Sequence, residues 1–255
     1  MDRNLAGQVA VITGAGRGIG RAVARAYAEA GMRVVCAARS TPEIEAVAAA
    51  IRATGGEAAA VACDVTEPDQ VEALCARAED FFGGIDIMFV NAGIDGPPAT
   101  VAEAAPEAWA RVIQVNLIGA MHQCQAAIPR LRRRGGGKII VTGSGIGRFA
   151  PPGSSAYGAS KAGLALLVRT LALELREDRI AVNELIPGPV KTAMTGLAAE
   201  AEAAAADAAE VAKRFGADWL KAPDDVAPLA LFMVGLPNDG PTGQRYSLVG
   251  RDIGP

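Results

Sequence analysis

The sequence predicts an α/β fold of one domain: a doubly wound, mostly parallel seven-stranded sheet with helices on both faces. Three observations carry this. Short runs rich in Val, Ile and Ala recur along the chain, and longer stretches at helical spacing separate them. The short runs are apolar almost throughout rather than alternating, which suits strands covered on both faces. Strands that alternate with helices imply βαβ crossovers and hence a parallel sheet.

Taken in order, residues 8–13 read as the first strand, and a helix over 19–30 follows, stopped at Gly31. A strand over 33–38 leads into a helix over 42–53, and a strand over 57–63 into a helix over 68–82. Pro42 and Pro68 sit at the starts of these helices, where a missing N–H costs least. A strand over 85–91 precedes one long helix, 106–134, opened by Pro106 and closed by Gly135, Gly136 and Gly137. A strand over 138–142, a helix over 156–177, a strand over 180–186, a helix over 224–234 and a strand over 244–249 complete the pattern. One segment breaks the rhythm. Residues 192–221, almost all Ala, Glu and Asp over 198–210, read as helix without a strand partner, a flap over a site. With no linker and no internal repeat, residues 1–255 read as a single domain.

Composition narrows the class. At 255 residues the chain can bury one substantial core, and with 51% hydrophobic residues it is not disordered. Lys and Arg number 25 against 28 Asp and Glu, a net charge of −3, so no global field draws the chain to nucleic acid or an anionic membrane. The start, Met1-Asp2-Arg3-Asn4, runs directly into a strand without an apolar leader, and no apolar run is long enough to span a bilayer. Cys36, Cys63, Cys75 and Cys124 show no metal-ligand or redox spacing and read as buried free thiols of a cytoplasmic protein. No carboxylate–histidine cluster is present to hold a catalytic metal. The sole histidine, His122, reads as structural. The basic run of Arg130, Arg132, Arg133, Arg134 and Lys138 suits a helix C-terminus; a patch for an acidic carrier or a phosphorylated substrate is the alternative.

The chemistry lies in two constellations. Gly14, Gly18 and Gly20 form a GxxxGxG loop between the first strand and the first helix, where backbone N–H groups can cradle a pyrophosphate. The site expected is therefore Rossmann-like, for a dinucleotide. At the end of the second strand, where a carboxylate would hold a ribose 2′-hydroxyl, stand Ala38 and Arg39, with Arg17 nearby in the loop. A guanidinium can clamp a 2′-phosphate, so NADP(H) is expected, with NAD(H) possible. The second constellation is Tyr157 and Lys161, four residues apart on one helix face, with Ser144 thirteen residues upstream of the tyrosine. A phenol beside an ammonium, laid against a dinucleotide, is equipment for moving a proton and a hydride to a carbonyl.

In order, Gly14-x-x-x-Gly18-x-Gly20, Asn91-Ala92-Gly93, Asn116, Ser144, Tyr157-x-x-x-Lys161 and Pro187-Gly188-Pro189-Val190-Lys191-Thr192 make the chain resemble the short-chain dehydrogenase/reductase family, in its short single-domain branch. The resemblance implies a catalytic set of Asn116, Ser144, Tyr157 and Lys161. Tyr157 is then the general acid and base, Ser144 holds the substrate oxygen, Lys161 lowers the phenol's pKa and bonds the nicotinamide ribose, and Asn116 anchors a water that links the lysine to solvent. It implies cofactor contacts from Gly14, Arg17, Gly18, Ile19 and Gly20, from Arg39 and Ser40, from Asp64 and Val65 at the adenine, and from Asn91, Ala92 and Gly93. Tyr157, Lys161, Pro187, Gly188, Val190 and Thr192 border the nicotinamide. No metal is implied. The departures are a tail without the family's usual ending and glycines, Gly143 and Gly145, where a Ser-Ser pair is often seen.

The expected activity is reversible reduction of a ketone to a secondary alcohol, an NADPH-preferring carbonyl reductase. A 3-oxoacyl thioester reductase of fatty-acid type and a non-catalytic NADP(H) sensor are the alternatives. Ile94, Asp95, Ile146, Phe149, Pro151, Met194, Leu197, Phe215 and Trp219 are the candidate pocket residues, mainly apolar and suited to a small or medium ketone. The apolar helix after Tyr157 leaves little room for a polar face, so a homo-oligomer is expected, a dimer or, by family analogy, a homotetramer.

Overall fold

The computed structural model of the protein describes residues 5–148, 151–194 and 220–249. Seven strands form one sheet: β1 Val9–Thr13, β2 Arg33–Ala38, β3 Glu57–Ala62, β4 Ile87–Val90, β5 Gly137–Thr142, β6 Ile180–Ile186 and β7 Arg245–Ser247. Their order is 3-2-1-4-5-6-7, and every pairing is parallel. The chain winds outward from β1 to β3 and then returns to start again at β4. The strand ends of β1 and β4 therefore diverge and open a crevice at the carboxyl edge, the place where doubly wound sheets bind ligands.

Alternation along each strand divides the core. Val11, Val35, Met88, Val90, Ile139 and Val141 face one layer, under helices α3 (Pro68–Phe82), α5 (Gly119–Arg133) and α6 (Ser155–Glu174). Ala10, Ile12, Val34, Cys36, Ile87, Phe89 and Ile140 face the other, under α1 (Gly18–Glu29), α2 (Thr41–Ala53) and α7 (Ala227–Gly235). Each fully buried aliphatic or aromatic side chain contributes roughly 1.5–3 kcal/mol. Both faces are thus sealed, which explains why the strands read as continuous apolar runs. In the second layer Tyr27 meets Phe89 edge to face at 6.1 Å, and its hydroxyl donates to the Ala230 carbonyl at 3.2 Å.

The expected helix over 106–134 is corrected by the structure. It divides into α4 (Pro106–Ile113), a π-helical turn over Gln114–Ile118 and α5. The turn carries Asn116, whose side chain leaves the helix to bond the backbone of Ile94, and a widened turn accommodates that pull. The expected flap lies outside the described residues over 195–219. Its return end is fixed: Lys221 is buried and bridges to Val190, with Lys191 N donating to Lys221 O at 2.8 Å.

The basic run is paired along its length. Arg130, 7% exposed, donates to Glu72 and Glu79 of α3. Arg132 bonds Asp178, Arg133 bonds Glu79, Arg134 bonds Asp86, and Lys138 Nζ donates to Asn238 at 2.6 Å. Arg130 and Lys138 are buried, whereas the paired Arg132, Arg133 and Arg134 keep about half of their side chains exposed.

Candidate active site

The crevice is a cleft of about 860 Å³ along the carboxyl ends of the strands. The glycine loop forms its floor. Gly14 and Gly18 have φ of +63° and +53°, left-handed values that glycine adopts without strain. A Cβ on Gly18 would lie 3.2 Å from Thr192 Cγ2, so the loop and the Thr192 segment close on each other. Loop, crevice and helix N-terminus fit a dinucleotide: the exposed N–H groups and the α1 dipole favour its pyrophosphate.

Most of the expected cofactor set lines this cleft: Gly14, Arg17, Gly18, Ile19, Arg39, Ser40, Asp64, Val65, Asn91, Ala92, Gly93, Tyr157, Lys161, Pro187, Gly188, Val190 and Thr192. Gly20 does not. It is buried behind the loop, where a Cβ would fall 2.7 Å from Asn91 Nδ2 and inside the Gly14 carbonyl. Its role is packing, which motif spacing alone does not distinguish from lining. Arg17 and Arg39 are exposed at the end of the cleft beyond β2, and Glu43 of α2 stands at the same rim. Burial alone would raise the Asp64 carboxyl, but hydrogen bonds from Thr66 and the charges of Arg111 and Arg39 outweigh it and hold the pKa low. Arg111 also lines the cleft, a residue that no sequence motif had marked.

Asn91 fastens the strand ends together. Its Nδ2 donates to Thr13 O at 3.0 Å, and its Oδ1 accepts from Thr142 Oγ1 at 3.2 Å, so one side chain ties β1, β4 and β5. Thr13 Oγ1 accepts from the N–H groups of Asn91 and Ala92 and donates to the buried Gln123 at 2.8 Å. Thr13 and Gln123 were not expected as site residues. Their signal, two polar groups inside apolar runs, becomes informative only when the elements are docked.

The second constellation converges on the wall of the cleft beside Ala92. Helix α6 presents Tyr157 and Lys161 on one face, with Lys161 Nζ 5.5 Å from the centre of the phenol ring. Lys161 is buried and donates to the Thr142 carbonyl at 2.8 Å. Burial pushes its ammonium down to about 8, opposed by the charge of Glu184. Ser144 caps the short turn Gly145–Gly147, accepting from Ile146 N at 3.2 Å, and hydrogen-bonds Tyr157. Tyr157 is partly buried. Burial pushes its phenol up to about 12, the Ser144 hydrogen bond works against this, and Asp95 adds to it. Burial is the largest influence on the phenol, and Lys161 Nζ lies on the face of its ring. The ammonium gives one of its three donors to Thr142.

Asn116 is buried behind this pair. Its amide exchanges two hydrogen bonds with the Ile94 backbone and donates to Ser160 Oγ at 3.1 Å, and Ser160 in turn donates to Tyr157 O at 2.7 Å. The side chain is therefore fully occupied in joining the strand end to the tyrosine's helix. Among the candidate pocket residues, Ile94 and Met194 line the cleft, and Asp95 lines a small adjoining pocket with Trp109, Ser155 and Tyr157. Ile146 packs over Gly158 instead. Phe149, Leu197, Phe215 and Trp219 lie outside the described residues. Among those described, no group of His, Cys, Asp and Glu is placed to hold a metal, and no helix is long and apolar enough to cross a membrane.

Comparison with known proteins agrees with this geometry. The family model described as short chain dehydrogenase matches residues 8–203. The chain is 40% identical over 237 residues to a short-chain type dehydrogenase/reductase of Picea abies, covering 90% of this chain and 86% of that protein. It is 34% identical over 250 residues to a cyclohexanol dehydrogenase of Acinetobacter sp. strain SE19, covering 98% and 96%. Among solved structures, a short-chain type dehydrogenase/reductase from Mycobacterium marinum superposes with a TM-score of 0.87 at 33% identity, over 99% of this chain and 98% of that one. Glycine loop, strand-end asparagine and Ser-Tyr-Lys wall thus occur together in a chain that matches along its length, and the protein belongs to the short-chain dehydrogenase family of nicotinamide-dependent oxidoreductases.

Proposed function

We propose that the protein is an NADPH-preferring carbonyl reductase that interconverts a ketone and a secondary alcohol, with Ser144, Tyr157 and Lys161 as its proton-transfer set and Asn116 as the residue that fixes them. The observation that carries this is that Tyr157 and Lys161 line the cleft together and Ser144 hydrogen-bonds the phenol. When bound along Gly14, Gly18, Asn91 and Pro187, the nicotinamide cofactor supplies or accepts the hydride.

The protein's own groups handle the proton. In reduction, Tyr157 gives its phenolic proton to the substrate oxygen as that oxygen gains charge, and Ser144 donates a hydrogen bond to the same atom. A phenol pushed up to about 12 is fully protonated at neutral pH, the form that reduction needs. Oxidation needs the phenolate and is expected to improve as pH rises. The Lys161 ammonium provides positive charge near the developing phenolate.

The NADPH preference rests on Arg17 and Arg39 at the rim, where no carboxylate ends β2. Glu43 at that rim weighs toward NADH, so the two cofactors must be compared directly. Ile94 and Met194 in the cleft and the likeness to a cyclohexanol dehydrogenase favour a small or medium ketone, cyclic ones included. Ion pairing of Arg130, Arg132, Arg133 and Arg134 to acidic neighbours weighs against the thioester reading, and a mere sensor has no need of a proton donor. We further infer a single domain over residues 1–255 in a cytoplasmic homo-oligomer, a dimer or tetramer. Leu166 and Leu173, 61% and 75% exposed on α6, support an apolar subunit contact.

The test is consumption of NADPH and NADH, followed by near-ultraviolet absorbance over a panel of ketones, diketones and 3-oxo esters. Turnover that favours NADPH and is lost in Tyr157→Phe is expected. Preference for NADH would overturn the cofactor reading, and cofactor binding without turnover would overturn the reductase.

A further inference from the structure

Behind the cleft wall, β6 carries a carboxylate that the chemistry above does not use. Glu184 is 1% exposed, within a strand whose seven positions are all buried. Its Oε2 accepts from Arg245 Nε at 2.7 Å, whereas Oε1 has no hydrogen-bond partner among the described residues. A buried, half-satisfied carboxylate costs stability, and an apolar residue in that place would serve the sheet better.

Its position indicates what it serves. Glu184 is paired in register with Val141, and its side chain reaches the turn two residues further on. A Cβ on Gly143 would lie 2.6 Å from both Cγ and Cδ of Glu184 and inside the Oε1 contact distance. Glu184 therefore requires glycine at 143, which accounts for the departure from the Ser-Ser pair noted in the sequence. Gly143 adjoins Thr142, whose carbonyl receives Lys161 Nζ. Carboxylate and ammonium thus flank one strand end, and each acts on the charge of the other.

We propose that Glu184 is a positioning residue of the active site: a buried counter-charge behind Gly143 that keeps Lys161 an ammonium and so sets the upper pH limit of proton transfer. The proposal rests on the reading of Ser144, Tyr157 and Lys161 as the proton-transfer set. Four other charged or titratable groups face the pair. Arg245 approaches Glu184 from β7 and Arg148 from the turn after β5; Tyr157 lies on the lysine's own helix, and Asp95 faces Tyr157 from the loop after β4. Burial works against the charge on Glu184, while Lys161 and Arg148 favour it and Arg245 holds one oxygen. Lys161, buried in the cleft wall, has Glu184 as its negative neighbour.

The experiment is a titration of the Lys161 Nζ resonance in ¹⁵N-lysine-labelled protein, assigned by its loss in Lys161→Arg. It is run on the wild type, Glu184→Gln and Arg245→Gln, each checked for folding by its melting curve. In Glu184→Gln the Lys161 midpoint is expected to fall from about 8 by about half a pH unit or more. In Arg245→Gln, which leaves Glu184 less compensated, it is expected to rise. The upper limb of the pH–rate profile is expected to move in the same sense in each variant. An unmoved Lys161 midpoint in folded Glu184→Gln overturns the proposal. If that variant does not fold, Arg245→Gln decides alone: a rise supports the proposal and no change overturns it. A shifted resonance in a protein that turns over no carbonyl leaves this inference standing and removes the reductase reading instead.

Discussion

Asn116 and Ile94 hold each other by a two-way exchange: Asn116 Oδ1 accepts from Ile94 N at 2.8 Å, and Asn116 Nδ2 donates to Ile94 O at 2.8 Å. The same amide reaches Ser160, one residue before Lys161. The geometry of the cleft wall is thus inherited from a clasp behind it.

Breaking the clasp affects both stability and chemistry. Asn116→Ala leaves the Ile94 amide and carbonyl without their partner, a loss of about 2 kcal/mol or more. A fall of about 5 °C or more in melting temperature is expected, with a larger loss in kcat than in cofactor affinity. Calorimetry and steady-state kinetics on one preparation check both.

Tyr157 is the group whose removal separates chemistry from binding. Tyr157→Phe keeps the ring and removes the proton, so turnover is expected to fall by about 10²- to 10⁴-fold. Cofactor Kd, measured by fluorescence, is expected to change little. In the wild type, reduction is expected to be flat with pH up to the region of about 8, where Lys161 loses its charge, and to fall above it. Oxidation is expected to have the more alkaline optimum, because burial holds the phenol protonated.

Arg39 tests the cofactor preference. Loss of one charge-assisted contact to a 2′-phosphate weakens binding by about tenfold or more. Arg39→Ala is therefore expected to raise the Kd for NADPH by that factor and leave NADH almost unchanged. Equal effects on the two cofactors would show that Arg39 does not read the phosphate.

Lys161 links stability to pH in a definite direction. Burial pushes its ammonium down to about 8 in the fold, from the 10.5 of a lysine in water. Between these values the unfolded chain binds the extra proton, so stability rises with pH across that window, and the cost is fully present below about 8. It amounts to about 3 kcal/mol. Relative to Lys161→Met, the wild type is expected to gain stability on going from pH 7 to pH 10, and denaturant titration at the two pH values measures the gain.

Gly143 and Glu184 are expected to behave as a coupled pair. Gly143→Ala drives a methyl group into the carboxylate and should destabilise by about 1–3 kcal/mol. The same change in a Glu184→Ala background should cost much less, and a double-mutant cycle reads the difference.

The sheet was legible because its strands are buried on both faces and therefore look alike: Val9 to Thr13 and Ile180 to Ile186 are apolar enough to stand out unaided. Tyr157, Lys161 and Ser144 were legible because a helix turns a spacing of four into a shared face. The break at Gln114–Ile118 was not legible, since Gln-Val-Asn-Leu-Ile is ordinary helical sequence and the cause lies 22 residues away at Ile94. Glu184 was hidden for a similar reason. Within Val-Asn-Glu-Leu-Ile it reads as one polar residue in a strand, and its meaning depends on Arg245, 61 residues later, and on the missing side chain at Gly143. Contacts between distant segments, rather than local pattern, decide both cases.

The four cysteines have a practical consequence. Cys36, Cys63, Cys75 and Cys124 are all buried, and burial pushes their thiols up to between about 11 and about 12. At neutral pH they are expected to react slowly with maleimides, since the thiolate is the reactive form. A single cysteine placed at the exposed rim position Met194 would then carry a fluorophore alone, and filling of the cleft could be followed in solution without replacing any native thiol.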